Sequence, residues 1–204
     1  MIKSIIVVIG LTFWSFGAFS QEPASIDLIA TDSTWGKEHF TFPLRFAQKI
    51  DFKGVEEAVF PAGWGDVESP AFWSYAFAWQ VEANGALTEN VMEVNLQYYF
   101  DGLLGLDHDR KVELPVKAST SLVVRTGDAT GTTHYAGKIK TFDTRFTQKP
   151  MTLHVIADQY FCQKERKTFV LFRFSPKGFD AEIWSRLKIL ELQKHLCPQQ
   201  MRKF

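Results

Sequence analysis

The 204-residue chain balances 23 Lys and Arg against 23 Asp and Glu, leaving no formal net charge at pH 7 and a pI near 7.0. A protein that lives on phosphate contacts, or on the charge of a lipid surface, carries a basic excess; nucleic acid and polybasic membrane binding are therefore poor readings. The 19 phenylalanines point instead to a β-rich core of large aromatic side chains.

The first twenty residues read as a secretory signal peptide. Lys3 supplies a short positive region, residues 5–16 an apolar run, and Ala18-Phe19-Ser20 a small-x-small cleavage site. The apolar run is short of the about 20 residues that a membrane span needs. Cutting after Ser20 makes Gln21 the first mature residue, and no cysteine stands there to take a lipid anchor. The expectation is a secreted or periplasmic protein with no stable membrane span once the leader is removed. Residues 21–34 read as a loose segment and residues 35–204 as one domain, in line with size.

From Trp35 the pattern tightens. Phe40, Phe42, Leu44 and Phe46 alternate with polar or small residues and predict a strand, which Pro43 places at an edge or breaks. Residues 56–60 predict a second strand, closed by Pro61-Ala62-Gly63. After a turn-rich link, Trp73, Tyr75, Phe77, Trp79 and Val81 alternate with Ser74, Ala76, Ala78, Gln80 and Glu82. Such a period of two defines a strand with one bulky face and one small or polar face.

A helix follows the Asn84-Gly85 turn. Thr88 is a good N-cap, Glu89 suits the dipole, and Leu87 with Met92 forms a hydrophobic staple. Met92, Leu96, Tyr99 and Leu103 make an apolar stripe that needs a sheet face, and Gly102 and Gly105 end it. The second half is again β: residues 112–116, 121–125, 134–146 and 151–157, then a charged turn at residues 164–167 into 168–174. That last run is apolar almost throughout and predicts a strand in the middle of the sheet. Asp180 as N-cap, Phe179 with Trp184 as staple, and Ile183, Leu187 and Leu190 predict a C-terminal helix stopped by Pro198.

This order predicts an α+β fold, a single twisted antiparallel β-sheet with a middle helix and a C-terminal helix packed on it. Cys162 and Cys197 are the two cysteines, and export to an oxidising compartment predicts one disulfide between them. The order of elements resembles the Mog1/PsbP-like sandwich of helices against an antiparallel sheet. Separately, Gly63-Trp64, Asp66, Glu68-Ser69, Phe72-Trp73-Ser74-Tyr75, Ser175-Pro176, Phe179-Asp180, Trp184 and Cys197 look like a pattern of secreted bacterial proteins. That resemblance implies a compartment and no particular activity.

Motifs that carry chemistry are sparse. His39, His108, His134, His154 and His195 make no HxxxH or HExxH pair, so no zinc signature and no metal site is expected. Asp107-His108-Asp109 reads as a solvated turn rather than a cation site, and no cofactor is expected. There is no GxSxG or SxxK nucleophile motif, and no phosphate loop among Gly127, Gly131 and Gly137. Arg125, Lys138, Lys140 and Arg145 read as charges that discourage edge pairing. The remaining candidates are Trp64, Asp66 and Glu68, an aromatic residue with two carboxylates in the loop before the aromatic strand. Three functions follow, the first favoured: a non-catalytic binding or accessory domain for a small molecule or protein, with its site beside Trp64. The second is a hydrolase, carbohydrate-directed, using Asp66 and Glu68. The third is binding of an apolar ligand or lipid between helix and sheet.

Overall fold

The computed structural model describes residues 26–105, 118–127 and 131–197. The expected signal peptide, the strand at residues 112–116, the Asp107-His108-Asp109 cluster, Pro198 and residues 128–130 of the loop at 126–131 lie outside them.

Nine strands and two α-helices are present among the described residues. They run β1 (Ile29–Ala30), β2 (Gly36–Thr41), β3 (Gly54–Phe60), β4 (Tyr75–Glu82), α1 (Glu89–Leu103), β5 (Ser119–Gly127), β6 (Thr133–Asp143), β7 (Lys149–Cys162), β8 (Lys167–Ser175), α2 (Ile183–Lys188) and β9 (Glu191–Leu192). A short 3-10 turn at Lys194–Leu196 follows. Seven strands form an antiparallel sheet in the order β2-β3-β4-β8-β7-β6-β5, and β1 pairs with β9 in a separate two-stranded sheet. The expectation of a single sheet is therefore corrected to a large sheet with a small one beside it. The apolar run of β8 does lie at the centre.

The alternation along β4 sets the two layers. Tyr75, Phe77, Trp79 and Val81 enter a core with Met92, Leu96, Tyr99 and Phe100 of α1. Ala76 and Ala78 are equally buried on the opposite face, where Ile183, Trp184 and Leu187 of α2 pack. Small side chains there leave room for a second layer, so this face is a core and not a solvated side. Helix α1 starts as its sequence dictates, with Thr88 Oγ1 accepting from Val91 N at 3.3 Å. It stops at Gly105, whose φ of 77° only glycine adopts without strain. Gly102, expected to help end the helix, lies inside it. A Cβ there would stand 2.0 Å from the Phe46 carbonyl oxygen, so this glycine lets α1 settle on the chain after β2.

Two element boundaries differ from expectation. Strand β2 ends at Thr41 rather than reaching Phe46, because Pro43 has no N–H to donate to a ladder and the chain turns there. The C-terminal helix spans six residues and gives way to β9. Asp180 does not cap it; Glu182 holds the N-cap position without a side-chain bond, while the Phe179–Trp184 staple forms with ring centroids 4.8 Å apart. Within the stretch expected to be loose, Leu28 and Ile29 are fully buried and Ile29–Ala30 forms β1. Their amides donate to the Glu57 carboxylate, a partner too distant in sequence to be read from the segment itself. Cys162 and Cys197 are joined by the expected disulfide, which ties the end of β7 to the chain beyond β9. No helix among the described residues is long and apolar enough to cross a membrane.

Candidate functional site: an aromatic cavity between helix and sheet

A cavity of about 380 Å³ opens between α1, strands β2 to β4 and the turn that follows β6. Phe46, Phe60, Trp64, Trp73, Tyr75 and Tyr99 supply most of its aromatic lining, with Glu38 and Arg145 adding charge. The rings form a continuous set. Phe60 stacks on Tyr75 and leans on Trp64, while Phe46 meets Tyr99 edge-on at 5.0 Å.

The wall near Trp64 is held by local turns. Trp73 N donates to the Trp64 carbonyl at 2.8 Å and closes the loop. Trp73 itself has a φ of 52°, a left-handed conformation costly for a bulky residue, and its indole lines the cavity. Phe146 reaches across from the turn after β6 and touches the rings of Trp64, Phe72 and Trp73. That turn is fixed by Asp143, whose carboxylate accepts from Arg145 N, Phe146 N, Thr147 N and the Thr147 hydroxyl. Burial works to raise the Asp143 pKa, but these donors together outweigh it and hold the group below its ordinary value. The Arg145 guanidinium then lies over the Trp64 and Phe146 rings, 5.6 and 5.5 Å from their centroids.

Two polar groups here have no partner. The Tyr75 hydroxyl and the Trp73 indole N–H are buried and make no hydrogen bond, although both residues line the cavity. A buried donor left unsatisfied costs about 1–3 kcal/mol, and native structures hold few of them. Burial raises the Tyr75 and Tyr99 pKa values well above their ordinary range, so both phenols keep their protons at neutral pH.

Glu56 stands behind this wall, almost fully buried, with Trp79 Nε1 donating at 2.7 Å and the Tyr99 hydroxyl at 3.0 Å. Burial is the largest influence on it and pushes its pKa from 4.5 up to about 8, with the charge of Glu38 adding to the rise. The two donors pull it partly back. At neutral pH the carboxyl is mainly uncharged, and its oxygens are already engaged.

Of the three residues singled out in the sequence, Trp64 lines the cavity, half-buried. Asp66 and Glu68 are exposed and are not among the lining residues. Asp66 Oδ1 accepts from Glu68 N at 3.0 Å, so its carboxylate shapes the loop. Tyr75, Tyr99 and Phe46 were legible only as core. Their signal was the position of Tyr75 at the very start of β4, where a strand leaves the packed interior for the rim of the sheet. On the other face, Asp27, His39 and Glu57 converge, a grouping that no spacing motif announces. Comparison with known proteins returned no matching family model, no matching curated protein and no matching solved structure.

Proposed function

We propose that this chain is a secreted or periplasmic, non-catalytic binding domain that takes one small apolar molecule into the aromatic cavity. The observation that carries the reading is the pair of buried, unpartnered donors, Tyr75 hydroxyl and Trp73 N–H, in an otherwise aromatic lining. Binding pockets are mostly apolar with a few placed polar groups, and about 300–1,000 Å³ is their usual size. Both donor atoms lie closed behind the aromatic surface of the cavity, so a ligand that parts these rings meets them with an acceptor, a carbonyl or a carboxylate on a ring system or short chain. A cavity of 380 Å³ exceeds twice the about 150 Å³ that houses a benzene, which matches a two-ring molecule. A disulfide-bonded chain is compatible with an oxidising compartment.

The hydrolase alternative loses its support, because neither Asp66 nor Glu68 faces this cavity. Glu56 offers no substitute, since Trp79 and Tyr99 occupy its oxygens. The test is titration with 2-naphthoic acid, followed by quenching of tryptophan fluorescence, with naphthalene as the acceptor-free control. Saturable binding of the acid, weakened at least fivefold in Trp73→Phe, supports the reading. No saturable quenching by either compound, or equal affinity in wild type and Trp73→Phe, overturns it.

A further inference from the structure

We propose that Asp27, His39 and Glu57 form a binding site for one divalent transition-metal ion of the zinc class. The three residues come from the chain just before β1, from β2 and from β3, and the antiparallel register sets His39 directly opposite Glu57. Asp27 Oδ1 lies 3.3 Å from His39 Nε2, and His39 Nε2 lies 3.7 Å from Glu57 Oε1. A tetrahedral ion with bonds of about 2.0–2.2 Å separates its ligand atoms by about 3.3–3.6 Å. Two edges of such a tetrahedron are therefore nearly formed. All three ligand atoms lie within 4.8 Å of one another, and the remaining gap closes by rotation of Asp27, whose side chain is half exposed.

Glu57 gives a second and independent indication. It is wholly buried, its Oε2 accepts from Leu28 N and Ile29 N, and its Oε1 is turned to the cluster without a directed hydrogen bond. The amides fix the carboxylate as outer hydrogen bonds fix metal ligands elsewhere. A buried carboxylate oxygen facing an imidazole and a second carboxylate demands a cation. Lys37 now meets part of that demand, with Nζ 2.9 Å from Asp27 Oδ2 and 3.1 Å from Glu57 Oε1. Its long flexible stem is partly exposed, so the ammonium can swing into solvent and leave its place to an ion. The donor set decides the class. One imidazole with two carboxylates suits zinc, nickel or copper(II), whereas calcium and magnesium ask for oxygen ligands alone.

Because the lysine and the ion compete for the same oxygens, Lys37→Met should tighten binding. The experiment is competition for zinc chloride against a chromophoric chelator, using the disulfide-intact mature chain, wild type, His39→Ala and Lys37→Met. Expected are one zinc per chain, affinity at least tenfold weaker in His39→Ala and about tenfold tighter in Lys37→Met, and no response to magnesium or calcium. Circular dichroism checks that each variant is folded; His39 is on an edge strand and its removal leaves the core untouched. Zinc binding absent from both wild type and Lys37→Met overturns the proposal. So does binding that His39→Ala leaves unchanged.

Discussion

Glu56 and Glu57 are consecutive on β3, both are buried, and the sheet sends them to opposite faces with opposite surroundings. Glu56 meets a tryptophan and a tyrosine on the α1 side, while Glu57 meets two backbone amides and Lys37 on the other. Two carboxylates inside a sheet are unusual, since an ionised one without partners is costly to desolvate. Glu57 is provided with a cation and two N–H donors. Glu56 has neutral donors only, and burial is met by holding the proton.

That difference makes Glu56 a source of pH dependence. Its folded pKa of about 8 lies above the ordinary 4.5, so the folded state binds more protons between those values. Stability attributable to Glu56 is fully present below about pH 4.5 and falls as pH rises toward 8, at up to about 1.4 kcal/mol per pH unit. Above pH 8 the slope ends. Glu56→Gln mimics the protonated carboxyl: its oxygen accepts from Trp79 Nε1 and its amide replaces the carboxyl O–H, with the Tyr99 hydroxyl turning from donor to acceptor. Urea denaturation at pH 5, 6, 7 and 8 should show the gap between variant and wild type widening in favour of the variant. A constant gap across that range would remove Glu56 as the titrating group.

Tyr75→Phe separates stability from binding. The ring keeps its stacking with Phe60 and Phe174, and only the unpartnered hydroxyl is lost. Removing an unsatisfied buried donor should stabilise the chain by about 1 kcal/mol, read as a higher urea midpoint at unchanged m. The same change should weaken 2-naphthoic acid by about fivefold while leaving naphthalene unaffected. A variant less stable than wild type would show that the hydroxyl has a partner in solution, and the cavity would lose one of its two donors.

What the sequence revealed follows from how local each signal is. The β4 alternation, the Thr88 cap and the apolar run of β8 are set by neighbours in the chain, and each was legible. Glycine commonly ends a helix, and Gly102 reads that way in the sequence; the group it makes room for, the Phe46 carbonyl, lies 56 residues away. Trp64 stands out in the sequence because it sits in a turn beside an aromatic strand, and it lines the cavity. Asp66 stands out for the same reason, but it lies outside the cavity lining and its carboxylate accepts from Glu68 N within the turn. The cavity is made by the separate approach of α1 and of the turn after β6, and the His39 cluster by strand register. Neither leaves a periodic mark on the sequence.

The disulfide offers a test of how separate the two faces are. Cys162 and Cys197 both belong to the α2-side core, and the cavity lies on the α1 side. Joining residues 35 apart restricts the unfolded chain by about 3–4 kcal/mol, so the double change Cys162→Ser and Cys197→Ser should lower stability by roughly that amount. The pairing of β9 with β1 should suffer first, because the bridge anchors the chain just beyond β9 and the small sheet has one pair of two-residue strands. Hydrogen exchange should therefore rise at Ile29, whose amide is held by Glu57, and at Gln193, whose amide donates to the Leu28 carbonyl at 2.8 Å. Amides of β4 should stay protected, and 2-naphthoic acid should bind within twofold of wild type. Loss of that binding in a variant whose β4 protection is intact would mean that the two faces are coupled through the sheet.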